Sequence, residues 1–133
     1  MPGTNDRKIL LVDDDPLVRA TIAEALIDEG FVVLQAANAS EAVAVLQARA
    51  DVLAVISDID MPGTMNGISL AWEIKNQWPN TPVTLISGRV HPPAGTVPED
   101  VVFVAKPLRL SVMVEHAERM VSHALPGADK PSQ

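Results

Sequence analysis

The chain contains no cysteine, which excludes a disulfide framework and any thiolate-ligated metal and agrees with a reducing compartment. Basic residues are scarce: 10 lysines and arginines stand against 17 aspartates and glutamates, a net charge of -7. That balance disfavours direct binding to nucleic acid phosphates or to an anionic membrane. No segment reaches the roughly 18 consecutive apolar residues of a membrane-spanning helix. The polar stretch Met1 to Lys8 lacks the apolar core of a secretory signal. The expected location is the cytoplasm. Aromatic residues make up only 3% of the sequence, and the pair Trp72 and Trp78 reads as packing, not as a cofactor platform.

What is present is enough for a core. A chain of 133 residues with 47% hydrophobic content is expected to form one globular domain. Apolar runs alternate with amphipathic stretches, the pattern of βα units around a parallel sheet. Ile9-Leu10-Leu11-Val12 reads as a first buried strand. Asp15 can cap a following helix with Pro16 at its first position, and Gly30 is a natural stop. Phe31 to Gln35 makes a second strand. Asn38, with Glu41 three residues on, resembles a capping box opening a helix to about Arg49. Val52 to Ile56 forms the third strand, Ile68 to Pro79 carries helical spacing, and Pro82 to Ile86 forms the fourth strand. Then the alternation breaks. His91 to Pro98 is too rich in proline for a normal helix, so a loop is expected before the fifth strand, Val101 to Ala105. Leu110, Met113, Val114, Ala117, Val121 and Ala124 mark a last helix ending near Pro126. The expected organisation is a tail over 1–7, a domain over 8–125 and a disordered tail over 126–133.

Charge gathers at the ends of the strands. Asp13-Asp14-Asp15 follows the first, Ser57-Asp58-Ile59-Asp60 ends the third, Ser87-Gly88 ends the fourth, and Lys106-Pro107 follows the fifth. In an open α/β sheet these ends face the ligand crevice. Two unit charges about 4 Å apart repel by roughly 4 kcal/mol at an effective dielectric of about 20. A hard divalent cation with oxygen ligands offsets that, and Mg²⁺ suits a site that leaves positions for water and phosphate. Asp58 then becomes a possible nucleophile, Lys106 a cation for the developing charge, and Ser87 a hydroxyl able to donate to a phosphoryl oxygen. Each feature alone has a plainer reading. An Asp-Asp-Asp run is commonly a solvated turn or helix cap, serine after a strand is ordinary turn chemistry, and Phe103 is a core residue. His91, His116 and His123 lack ligand spacing and read as loop or helix-surface residues.

Taken together, these motifs resemble, in order and approximate spacing, the receiver domain of two-component response regulators, over nearly the whole chain. The resemblance implies an α/β fold: a doubly wound, five-stranded parallel sheet of order 2-1-3-4-5, flavodoxin-like, here with the fourth helix short or replaced by the proline-rich loop. It implies Asp58 as phosphoacceptor and metal ligand, Asp14 as direct Mg²⁺ ligand, Asp13 as a ligand through water, and Asp60 as a ligand through its backbone carbonyl. Ser87 would be the switch hydroxyl, Lys106 the phosphate partner and Phe103 an aromatic switch residue. The expected donor is a histidine kinase or phosphotransfer protein, and the output a contact with an unknown downstream protein target. Because members commonly signal through a face that includes the fourth helix, the loop from His91 to Pro98 is expected to report phosphorylation instead.

Two other readings remain at this level. Asp58-Ile59-Asp60 resembles the nucleophile motif of haloacid-dehalogenase-type phosphatases, although Pro62 stands where that motif continues to threonine or valine, and Asp13 and Asp14 stay unexplained. A phosphorylation-independent pseudo-receiver, a binding module, is the other, disfavoured because no charged member of the site is missing.

Overall fold

The computed structural model describes residues 7–61, 66–88, 95–106 and 109–124. Five strands, β1 (Arg7–Val12), β2 (Phe31–Ala36), β3 (Ala54–Asp58), β4 (Val83–Ser87) and β5 (Val102–Ala105), alternate with α1 (Pro16–Asp28), α2 (Ala39–Ala48) and α3 (Gly67–Gln77), and α4 (Leu110–Ala124) closes the described chain. All strand pairs are parallel, in the order β2-β1-β3-β4-β5. The expected topology is therefore the observed one. β1 opens at Arg7, one residue inside the stretch read as tail, and β3 begins at Ala54, two residues later than its apolar run suggested. Residues 1–6 and 125–133, which hold most of the expected tails, lie outside the described residues.

Local chemistry explains the helix boundaries. The Asp15 carboxylate accepts from the amides of Leu17 and Val18 at 2.9 and 3.2 Å, ahead of Pro16 at the first helical position, satisfying donors that a helix start leaves orphaned. At the other end Gly30 takes a φ of 95°, which only glycine adopts without strain. Asn38 caps α2 through the Glu41 amide at 2.9 Å, while the Glu41 carboxylate accepts from Ala37 at 2.8 Å, one residue earlier than in a standard capping box. Asn66 caps α3 through the Ser69 amide at 3.0 Å.

The two faces of the sheet carry separate cores. Leu10, Val12, Val55, Val83 and Leu85 pack against α2 and α3 through Ala39, Ala42, Leu46, Leu70, Ala71 and Ile74. Ile9, Leu11, Ala54, Ile56 and Ile86 pack against α1 and α4 through Ile22, Leu26, Met113, Ala117 and Val121. Each fully buried leucine or isoleucine contributes about 1.5–3 kcal/mol relative to an exposed one. Among the described residues, no helix is long and apolar enough to cross a membrane.

His116 departs from its sequence reading. It is buried on the α4 face of the sheet, with Nε2 2.6 Å from the Thr84 hydroxyl, which also donates to Met120 Sδ at 2.9 Å. Met113, Ala117 and Val121 form the packed stripe of the helix, and His116 is the polar residue that the same packing drew inward. Burial, and then the charge of Arg119, hold its imidazole below the ordinary value of 6.5. The unfolded chain therefore binds the proton more tightly, and stability falls as pH drops from 6.5 toward the folded-state value. The expected result is a melting temperature that declines on acidification across that range, with the His116 contribution to the slope removed in His116→Gln, as thermal unfolding at stepped pH would read out.

No helix joins β4 to β5 among the described residues. Residues 89–94 lie outside them, and Gly95 to Asp100 run as turns and bends. That segment is pinned to α3. Trp72 Nε1 donates to the Thr96 carbonyl at 2.7 Å, and Lys75 Nζ reaches Asp100 at 2.7 Å and the Thr81 carbonyl at 2.9 Å. Val97 packs onto the same core as Phe103. Trp72, 45% exposed, is thus a tether for this connection, whereas Trp78 packs against the core as expected.

Candidate functional site: an acidic pocket at the strand ends

Parallel pairing brings the charged strand ends together. Val12 is in register with Ser57, Asp58 with Ile86, and Ser87 with Ala105. The ladder continues past the strands, through Ile59 N to Ile86 O at 3.0 Å and Lys106 N to Ser87 O at 2.9 Å. One carboxylate oxygen each from Asp13, Asp14 and Asp58 lie within 4.8 Å of one another. Asp13 and Asp58 are buried and Asp14 is exposed. Lys106 Nζ stands 3.3 Å from Asp58 Oδ1. Ser87 is buried at the end of β4, beside this group. Asp60 is exposed, two residues beyond Asp58. Phe103 lies apart from the pocket, half-buried in β5 opposite Leu85 and packed on the α2–α3 face. Gly88 leaves room to spare: an added Cβ would meet the Lys106 stem at an ordinary 3.7 Å. Pro62 and Pro107 lie outside the described residues.

Electrostatics make the pocket costly as it stands. Burial holds the Asp58 carboxyl above its ordinary 3.8, against the opposing charge of Lys106 and a backbone hydrogen bond from Asp60. Burial also raises Asp13, helped by the charges of Asp58 and Asp14 and opposed by the Asp15 amide and Lys106. Lys106 lowers the Asp58 carboxyl both by its charge and as a donor, standing 3.3 Å from Asp58 Oδ1, yet among the described residues this buried oxygen has no hydrogen bond of ordinary geometry. An orphaned carboxylate oxygen facing two further carboxylates is the donor set that a small, hard divalent cation takes. The residues fit Mg²⁺.

Gly67 sets the position of Asp58. A Cβ at that residue would stand 2.3 Å from the Asp58 carbonyl oxygen and 2.7 Å from Ile59 Cα, and the Gly67 amide donates to Ile59 O at 2.9 Å. Backbone cannot yield as a flexible side chain can. Gly67→Ala is expected to destabilise the domain by about 2–3 kcal/mol and to slow any chemistry at Asp58, as urea titration and a labelling time course would measure. The sequence reading did not single out Gly67, because nothing in a sequence announces a close approach of two backbones. It also passed over Arg19, whose Nη1 donates to the Asp13 carbonyl at 2.5 Å.

Comparison with known proteins agrees with this geometry. Residues 9–118 match the response regulator receiver domain. The chain is 43% identical over 81 residues to an NtrX-like response regulator of Rickettsia bellii, covering 60% of this chain and 17% of that protein. It is 37% identical over 119 residues to the C4-dicarboxylate transport transcriptional regulatory protein DctD of Rhizobium meliloti, covering 84% of this chain and 24% of that protein. The chain therefore spans about a quarter or less of these relatives' length. The crystal structure of the receiver domain of NtrX from Brucella abortus superposes with a TM-score of 0.72 at 34% identity, covering 85% of this chain and 97% of that one. Receiver domains are phosphoacceptor regulatory modules that partner with histidine kinases and are not catalytic enzymes, which sets aside the phosphatase reading. With its 2-1-3-4-5 sheet and its cluster of Asp13, Asp14 and Asp58 at the strand ends, the chain belongs to the response regulator receiver domain family.

Proposed function

We propose that this domain is a phosphorylation-dependent switch: Asp58 accepts a phosphoryl group from a histidine kinase or phosphotransfer protein in a Mg²⁺-dependent reaction, and the product signals through contact with another protein in the cytoplasm. The observation that carries this reading is the grouping of one carboxylate oxygen each from Asp13, Asp14 and Asp58 within 4.8 Å, with Lys106 Nζ 3.3 Å from Asp58 Oδ1. Asp14, Asp58 and the Asp60 carbonyl would hold the ion directly and Asp13 through water. Bound there, Mg²⁺ would supply positive charge to the transferring phosphoryl oxygens. Asp58 supplies the attacking oxygen. A phosphorus–oxygen bond forms there as the bond to the donor breaks, and the electron pair leaves with the donor. Lys106 moves from the carboxylate to a phosphoryl oxygen, and the Ser87 hydroxyl donates a hydrogen bond to another.

Downstream, Phe103 responds to Ser87, with which it shares the β4–β5 pair, and the connection before β5, described from Gly95 onward, carries the change outward. Amide exchange in the Gly95 to Asp100 segment is expected to change on phosphorylation; unchanged exchange would remove that output route. The primary test is intact mass spectrometry after incubation with a small acyl phosphate. The expected result is a single added phosphoryl group with Mg²⁺ and none with EDTA. Steady release of phosphate without a labelled intermediate, or no reaction at all, would overturn the reading.

A further inference from the structure

The Asp13 amide, carbonyl and one carboxylate oxygen are each tied by a hydrogen bond. Its amide donates to Ala36 O at 3.1 Å, its Oδ1 accepts from the Asp15 amide at 2.9 Å, and its carbonyl accepts from Arg19 Nη1 at 2.5 Å. Arg19 is itself anchored. Its Nε donates to Gln35 Oε1 at 3.1 Å, and its backbone amide donates to Asp15 O at 2.9 Å in the first turn of α1. Gln35 is in register with Leu11 on β1. A single guanidinium therefore joins the end of β1, the end of β2 and the start of α1.

The bond to the Asp13 carbonyl matters because of which peptide it holds. That carbonyl shares a rigid plane with the Asp14 amide. Fixing it fixes the orientation of the unit that joins the two neighbouring acids, and so the direction in which the Asp14 side chain leaves the backbone. The contact is also unusual in its choice of acceptor. A guanidinium this close to an acid cluster would ordinarily fork onto a carboxylate. Here it takes the carbonyl instead, leaving one carboxylate oxygen each of Asp13 and Asp14 in the cluster with Asp58.

We propose that Arg19 is a positioning residue for the acid pocket: by clamping the Asp13–Asp14 peptide against β2 and α1, it holds both carboxylates in the arrangement that takes up a divalent cation. This inference rests on the reading of the pocket given above. Arg19 touches neither cation nor phosphoryl group; it acts through the backbone of the residues that do.

The test measures Mg²⁺ affinity by titration calorimetry, and exchange of the Asp15 amide in EDTA by NMR, for the wild-type domain, Arg19→Ala, Arg19→Lys and Gln35→Ala. Arg19→Ala is expected to weaken Mg²⁺ binding about tenfold, the scale found when a group orienting a ligand is lost, and to speed Asp15 amide exchange. Arg19→Lys restores part of both, since an ammonium can donate to the carbonyl but cannot also present the fork that reaches Gln35. Gln35→Ala gives a smaller loss. A purely structural arginine would lower the melting temperature and leave the Mg²⁺ affinity of the folded domain as it was. That result, or wild-type exchange at Asp15 in Arg19→Ala, overturns the inference. If the wild-type domain binds no Mg²⁺, the reading of the pocket fails, and the metal-free exchange comparison still decides whether Arg19 holds this peptide.

Discussion

Asp58→Asn is expected to abolish labelling by a small acyl phosphate completely and, at the same time, to raise the melting temperature of the metal-free domain. The two effects have one origin. Asparagine keeps the volume of the side chain, so the strand end and its ladder to β4 are undisturbed, but it has no carboxylate to attack phosphorus. The stability gain follows from the sign of the linkage. Burial holds the Asp58 carboxyl above 3.8 in the folded state, so the folded state binds that proton more tightly than the unfolded chain. This contribution to stability is fully present below 3.8 and is lost as pH rises through the folded-state value. Ionising the buried carboxyl therefore carries a net cost in the folded state, and the amide removes it. Each kcal/mol recovered raises the melting temperature by roughly 3–5 °C at this chain length. Mass spectrometry and thermal unfolding in EDTA at pH 7 read the two effects separately. Retained labelling would reassign the acceptor, and a lowered melting temperature would show that Lys106 outweighs burial.

Asp13→Asn gives the second large effect, a crossover. The asparagine oxygen can still accept from the Asp15 amide, as Asp13 Oδ1 does at 2.9 Å, so the turn is kept while one buried negative charge is removed. Burial and the charges of Asp58 and Asp14 all hold Asp13 above its ordinary range, and in EDTA the variant should therefore melt higher than the wild type. With Mg²⁺ the order reverses. A ligand at about a hundred times its dissociation constant stabilises by about 2.7 kcal/mol, and on the role proposed for Asp13 its loss weakens metal affinity by about 10–100-fold. Paired melts with EDTA and with saturating Mg²⁺ measure the crossing. Parallel curves for the two proteins would exclude Asp13 from the metal site.

Much of this was legible in the sequence because the strand ends carry their own labels. An apolar run followed by acid, or by lysine and proline, marks a buried strand emptying into a crevice, and the 2-1-3-4-5 order puts those ends side by side. The caps at Asp15, Asn38 and Asn66 belong to the same local chemistry; Asn66 alone escaped notice. What stayed hidden depends on which side chains meet across the fold. His116 looked like surface because periodicity does not distinguish a polar residue on an apolar stripe from one beside it, and only contact with Thr84 and Met120 reveals its burial. Trp72 looked like packing because its acceptor, the Thr96 carbonyl, belongs to a connection with no regular pattern. Arg19 is one more charged residue on an amphipathic helix until its target turns out to be a backbone carbonyl.

The contact between Gly67 and the Asp58 backbone has a mechanical consequence. There is no slack at the junction, since even a methyl group cannot be inserted. Helix α3, at 11 residues, is a rod about 16 Å long butted at one end against the backbone of Asp58. Along its length it grips the β4–β5 connection through Trp72 and Lys75. Any push on the strand end is delivered to the base of this lever, and the tethered connection rides on its arm.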